Sequence, residues 1–90
     1  FDADQKLIEF IKERLSKLNL FYDQIIGSEV FLRLDKSDRN LNKTVEIKLN
    51  IPGKELFAKK QCKSFEEATD EAVDALRRQI KKHKGKHLVK

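Results

Sequence analysis

The 90-residue chain has no methionine, one cysteine, one proline and three glycines. Each scarcity excludes something. A lone cysteine, Cys62, cannot form an internal disulfide, which fits a reducing compartment. No histidine stands near it in sequence to activate it, so it reads as a small inert residue close to a strand end. Gly27, Gly53 and Gly85 are isolated from one another, so no glycine-rich loop is present to cradle a phosphate. No apolar run approaches the roughly 20 residues needed to cross a membrane, and the charge–apolar–small pattern of a signal peptide is missing. The two histidines, His83 and His87, have the i,i+4 spacing of zinc ligands on a helix, but no cysteine or carboxylate close in sequence completes a site. His83 also projects onto an apolar stripe, where a packed imidazole is expected. No metal, cofactor, small-molecule substrate or catalytic constellation is therefore expected, and an enzyme is not predicted. The missing methionine predicts that the chain begins inside a longer one, with an element ahead of Phe1, and that Lys90 is a cut of the same kind.

Charge is abundant, and it is unevenly placed. Apolar and charged residues each make up 39% of the chain, so one modest core beneath a heavily charged surface is expected for a single domain. The net charge of +5 conceals a polarity. Residues 77–90 carry seven lysines and arginines and no acid, whereas residues 1–76 hold 13 bases and 15 acids. The whole basic excess sits at one end, and a concentrated patch of this kind favours a polyanionic partner.

Periodicity yields five elements. Leu7, Ile11, Leu18 and Phe21, widened by Ile8, Phe10 and Leu15, form a helical stripe capped by Asp4. Lys6, Glu9, Glu13 and Lys17 lie outside it. Arg14 falls inside the apolar sector, and two accounts are open: a buried stem with its guanidinium at the edge, or a basic group at the seam with a neighbouring helix. Three strands follow, over about Ile25–Leu34, Thr44–Ile51 and Glu55–Gln61. In the second, Val45, Ile47, Leu49 and Ile51 face inward and Thr44, Glu46, Lys48 and Asn50 outward. Pro52-Gly53 supplies the turn to the third. The last helix opens on the capping box Ser64-Phe65-Glu66-Glu67. It buries Phe65, Ala68, Thr69, Ala72, Val73, Leu76 and Ile80. Five acids between Glu66 and Asp74 precede five bases between Arg77 and Lys84, an order suited to the helix dipole, and Asp74 and Arg78 are an i,i+4 pair. A dipole-matched helix needs only one or two terminal bases, however. The order α-β-β-β-α predicts an α+β layer with both helices on one face of an antiparallel sheet. A domain over residues 1–84 and a basic tail over 85–90 are expected, with flexibility near Asp38–Asn42 and after Gly85.

These residues resemble the ribosome hibernation promoting factor family, which includes the stationary-phase ribosome-associated inhibitors. Three blocks carry the likeness: Lys12-Glu13-Arg14-Leu15-Ser16-Lys17-Leu18 leading into Phe21-Tyr22-Asp23-Gln24-Ile25; Val45-Glu46-Ile47 with Ile51-Pro52-Gly53 and Leu56-Phe57-Ala58; and the helix from Glu66 to Lys84. Together they cover almost the whole chain. The resemblance implies a β-α-β-β-β-α sandwich whose first strand is missing here, and a short family member or the N-terminal domain of a long one. It implies a bacterial cytoplasmic protein on the small ribosomal subunit, in the channel that messenger and transfer RNA use. There it would compete with both and inhibit translation under stress or in stationary phase. Carried over by position, the implied contacts with ribosomal RNA are Arg14 and Lys17 on the first helix and Arg78, Lys81, Lys82 and Lys84 on the second. Arg77 is included although the family often has a small or acidic residue there.

Two other readings compete. A double-stranded-RNA-binding domain has the same α-β-β-β-α order, but its basic cluster opens the last helix, where this chain is acidic. A protein-interaction module could use the outer sheet face through Glu46, Lys48 and Asn50, although such faces are usually only solvated.

Overall fold

The computed structural model describes residues 4–35 and 41–88, with side chains as far as residue 84. Helix α1 spans Gln5–Phe21, strands β1, β2 and β3 span Gly27–Leu34, Lys43–Ile51 and Lys54–Cys62, and helix α2 spans Phe65–Leu88. The strands form one antiparallel sheet in the order β1-β2-β3. Helix α2 crosses β2 and β3, and α1 lies alongside α2. This is the expected α+β layer with three strands. The further strand that the resemblance implies would precede Phe1 and lies outside the described residues.

Each element forms for a local reason. Asp4 caps α1, its Oδ1 accepting the Leu7 N–H at 3.0 Å, which satisfies one of the helix's orphan donors. The chain leaves α1 through Tyr22, which adopts an extended conformation and still donates its N–H to Leu18 O. Between β2 and β3 the turn falls on Pro52-Gly53, and Gly53 takes φ +76°, a left-handed value that glycine adopts without strain. At the start of α2, Ser64 Oγ accepts the Glu67 N–H at 3.1 Å. Only that half of the expected capping box is formed. The Glu67 carboxylate lies instead beside Cys62 and Glu71.

The core sits between β2–β3 and the helices. Val45, Ile47, Leu49 and Ile51 are buried in strict alternation, joined by Leu56 and Ala58 from β3. Ala68, Ala72, Leu76 and Ile80 of α2 cover them with no exposed surface. The two alanines let the helix backbone approach the sheet, and each buried leucine or isoleucine contributes on the order of 2 kcal/mol. Thr44 faces outward as expected, yet it is fully buried. It lies between Arg33 and Gln61, and Asp35 folds over it and accepts its hydroxyl hydrogen bond.

Helix α2 continues four residues past Lys84, to Leu88. An isolated glycine in a helix costs only about 1 kcal/mol, so Gly85 does not break it. The expected loop positions 36–40, and the side chains of Lys86, His87 and Lys90, lie outside the described residues.

Candidate nucleic-acid interface

The two helices run in the same direction. Arg14 of α1 meets Asp70 of α2, Phe21 meets Arg77 and Lys84, and Tyr22 meets His83. Both C-terminal ends therefore converge at one end of the molecule. The C-terminal end of α1 carries the negative end of its helix dipole, and α2 runs on one turn past it to Leu88. No basic residue occupies the last turn of α1. Its neutralising cation comes from the neighbouring helix, as Lys84 Nζ donates to Phe21 O at 3.3 Å. Part of the basic end thus closes the helix–helix joint.

The seven sequence-predicted cations fall into three environments. Arg14 resolves its two open accounts in favour of the seam. Its Nε donates to Asp70 Oδ1 at 2.6 Å, its Nη1 donates to Glu13 Oε1 at 2.8 Å, and its guanidinium lies 4.2 Å above the Phe10 ring. The Asp70 hydrogen bond is the largest influence and raises the guanidinium pKa above its ordinary value. Arg78 is paired with Asp74 one turn earlier, and that hydrogen bond holds the Asp74 carboxyl below its usual range. Arg77 and Lys84, two turns apart on α2, both rest on the face of Phe21, at 5.6 and 4.6 Å from its centroid. Cation–π contact of this kind orders a long side chain and leaves its charge uncancelled. Lys17, Lys81 and Lys82 are exposed and make no ion pair with any other described residue.

Geometrically, Arg14, Lys17 and Arg77 line one groove of about 340 Å³ between the helices, together with Leu18, Phe21 and Val73 and with Asp70 and Asp74 on its α2 wall. Arg78, Lys81 and Lys82 stand on the solvent side of α2, beyond or opposite Ile80, its last buried side chain. Cations therefore stand both in the groove and on the solvent side of α2, with Asp70 and Asp74 among them. Cations there can neutralise phosphates and release counterions, and the arginines can add bidentate contacts. The opposite end of α2 exposes Glu66, Glu67 and Glu71, which repel the same ligand.

Sequence reasoning missed three residues of this site. Phe21 carries two of the cations, but its stripe position marks it only as core. Asp70 cancels Arg14 from 56 residues away, a pairing with no local signal. Tyr22 packs edge-on to the half-buried His83, with centroids 6.1 Å apart and planes at 90°. Cys62 is buried at the end of β3, and burial followed by the charges of Glu71 and Glu67 pushes its thiol up to about 11. A thiol held protonated at neutral pH is a poor nucleophile.

Comparisons with known proteins agree with this architecture. A model of the family described as Sigma 54 modulation protein / S30EA ribosomal protein matches residues 1–88. The chain is 33% identical over 85 residues to the ribosome hibernation promoting factor of Pseudomonas putida, covering 94% of this chain and 79% of that protein. It is 31% identical over 88 residues to the ribosome hibernation promotion factor of Deinococcus radiodurans, covering 97% of this chain and 46% of that longer protein. In three dimensions it is similar to a ribosomal subunit interface protein from Coxiella burnetii, with a TM-score of 0.83, 20% identity, and coverage of 94% of this chain and 89% of that one. The N-terminal domain of Thermus thermophilus Protein Y is also similar, with a TM-score of 0.72, 19% identity, and coverage of 92% and 88%.

Proposed function

Since the chain belongs to the Sigma 54 modulation protein / S30EA ribosomal protein family, we propose that it is a ribosome hibernation factor. It binds the small ribosomal subunit in the channel used by messenger and transfer RNA, competes with both, and inhibits translation under stress or in stationary phase. It acts in the bacterial cytoplasm. No described helix is long and apolar enough to cross a membrane. The observation that carries the reading is the exposed basic end of α2, from Arg77 to Lys84, joined to the C-terminus of α1 by Lys84. The proposed contacts are Arg14, Lys17, Arg77, Arg78, Lys81, Lys82 and Lys84.

The mechanism is occupancy. Folded ribosomal RNA offers a channel lined by phosphates, and such RNA is recognised by shape and backbone more than by base-paired edges. A packed helix pair with cations gathered at one end supplies both the shape and the charge. The acidic start of α2 sets the orientation by repelling phosphate at the other end. That same acidic start speaks against a double-stranded-RNA-binding domain, which needs its bases there.

The test is co-sedimentation with ribosomes, comparing the wild type with the Arg78→Glu, Lys82→Glu double variant, together with inhibition of cell-free translation. The expected result is wild-type binding that weakens steeply with salt, and loss of both binding and inhibition in the variant. Equal sedimentation of the two proteins would overturn the proposed surface.

A further inference from the structure

We infer that the hollow where the C-terminal end of α1 and the His83–Lys84 segment of α2 meet the β2–β3 turn receives one unstacked base of single-stranded RNA. The inference rests on the proposed ribosome-binding role and names the RNA element that the site takes. The hollow has a volume of about 600 Å³ and is distinct from the groove between the helices. Its size lies within the range of small-ligand pockets. Three features point to a base.

The first is the wall. Tyr22 and His83 meet at right angles, centroids 6.1 Å apart, and form an aromatic corner. Leu20, Phe21 and Pro52 complete an apolar lining. Tyr22, His83 and Phe21 are each half-buried, so each keeps exposed surface as well as being packed. Rings held in this way lose little freedom when a flat ligand stacks on them, and every base has a π face to offer.

The second is the rim. Lys84, fixed by Phe21 O and the Phe21 ring, lies at the hollow's edge. Lys81 stands on the adjoining turn of α2 and is exposed. A phosphate attracted to these lysines would bring its own base to the aromatic corner. This charge complementarity favours a nucleotide over an apolar side chain of a protein.

The third is the polar pair Asp23 and Gln24, both exposed and both lining the hollow. A carboxylate repels phosphate but accepts hydrogen bonds from the imino and amino groups on the edge of a base. An amide offers both a donor and an acceptor. Asp23 shares the lining with a single lysine, Lys84, so the hollow is not a phosphate cradle, and its acceptor is suited to a base edge.

The experiment uses the full chain on ribosomes. Binding is measured across a salt series for the wild type, Tyr22→Leu and Tyr22→Phe, with Lys82→Ala as a charge control. Ultraviolet zero-length cross-linking of the wild-type complex then identifies which peptide carries a nucleotide adduct. Stacking contributes about 5- to 150-fold per base. Tyr22→Leu should weaken binding within that range at every salt concentration without changing the salt dependence, because stacking releases no counterions. Tyr22→Phe, which keeps the ring, should bind within about twofold of wild type. The peptide carrying Tyr22 should hold a nucleotide adduct, a readout that needs no variant to fold. Wild-type affinity in Tyr22→Leu, equal losses in Tyr22→Leu and Tyr22→Phe, or cross-linking of this peptide to a ribosomal protein would each overturn the inference. If Lys82→Ala weakens binding and Tyr22→Leu does not, the hollow alone is refuted and the basic surface stands. If the wild type fails to bind ribosomes, the functional reading fails and the hollow falls with it.

Discussion

Arg14 and Lys82 carry the same formal charge, yet the structure predicts that they contribute differently to RNA binding. Each phosphate neutralised steepens the fall of log affinity with log salt by about 0.7 to 0.9. A cation already neutralised by a carboxylate releases few further counterions. Of the seven candidate cations, Arg14 is paired with Asp70 and Glu13, and Arg78 with Asp74. The other five are unpaired and release counterions in full, which sets a slope of about −4, while Arg14 and Arg78 add hydrogen bonds to phosphate with little further release. A fourfold rise in salt should then cost about 250-fold in affinity. Lys82→Ala removes an unpaired charge, and the slope should fall to about −3.2, so the same rise costs about 80-fold. Arg14→Ala should leave the slope within about 0.2 of wild type. Asp70→Asn, which frees Arg14, should steepen it by up to about 0.9. The assay is sedimentation or filter binding of labelled protein to small subunits between about 0.05 and 0.2 M monovalent salt, the range over which counterion release is commonly read. The slope is a ratio across conditions, so a uniform loss of folded protein does not alter it. Equal slope changes for Arg14→Ala and Lys82→Ala would refute the argument that the Asp70 pairing silences Arg14.

Other expectations follow from the same geometry. Leu76→Ala empties a fully buried position over the sheet and should lower unfolding free energy by about 2–5 kcal/mol in urea titration. Phe57→Ala, at a 46% exposed residue on the outer face, should cost much less. Asp74 should titrate below the usual carboxylate range in NMR, and Arg78→Ala should return it upward, since Arg78 is the largest cause of its depression. Because the folded value is depressed, the stability that this pair contributes is present above the ordinary carboxylate pKa and is lost as pH falls through the depressed one. Cys62, held at about 11, should alkylate at pH 7.5 on the order of a hundredfold more slowly than a free cysteine, and unfolding in denaturant should abolish the difference.

Much of the fold follows from local pattern. The alternation Val45, Ile47, Leu49, Ile51 can bury only one face of a strand. The stripe from Phe65 to Ile80 repeats at helical spacing. Pro52-Gly53 can hardly be anything but a turn. Charge order along α2 was equally legible, and with it the basic end and the acidic end, because charge and periodicity are properties of neighbours in the chain. Where local logic met a longer-range competitor, the structure differed. Thr44 kept its outward direction but was covered by Asp35, Glu67 turned from its cap toward Cys62, and α2 ran through Gly85 to Leu88.

The sequence by itself thus determined which residues are charged, which helices carry them and at which end. Only the tertiary structure decided which of those charges are available. Parallel packing of α1 and α2 brings two helix C-termini together and turns Lys84 into the cap of a neighbour's end. It seats Arg77 on Phe21. It also sets Asp70 against Arg14 across 56 residues of chain, so that a residue with the formal charge of an RNA contact is already balanced by an acid. The physical reason is range. Propensity and dipole act over a turn or two, whereas an ion pair depends on separation in space, and separation in space exists only once the chain has folded.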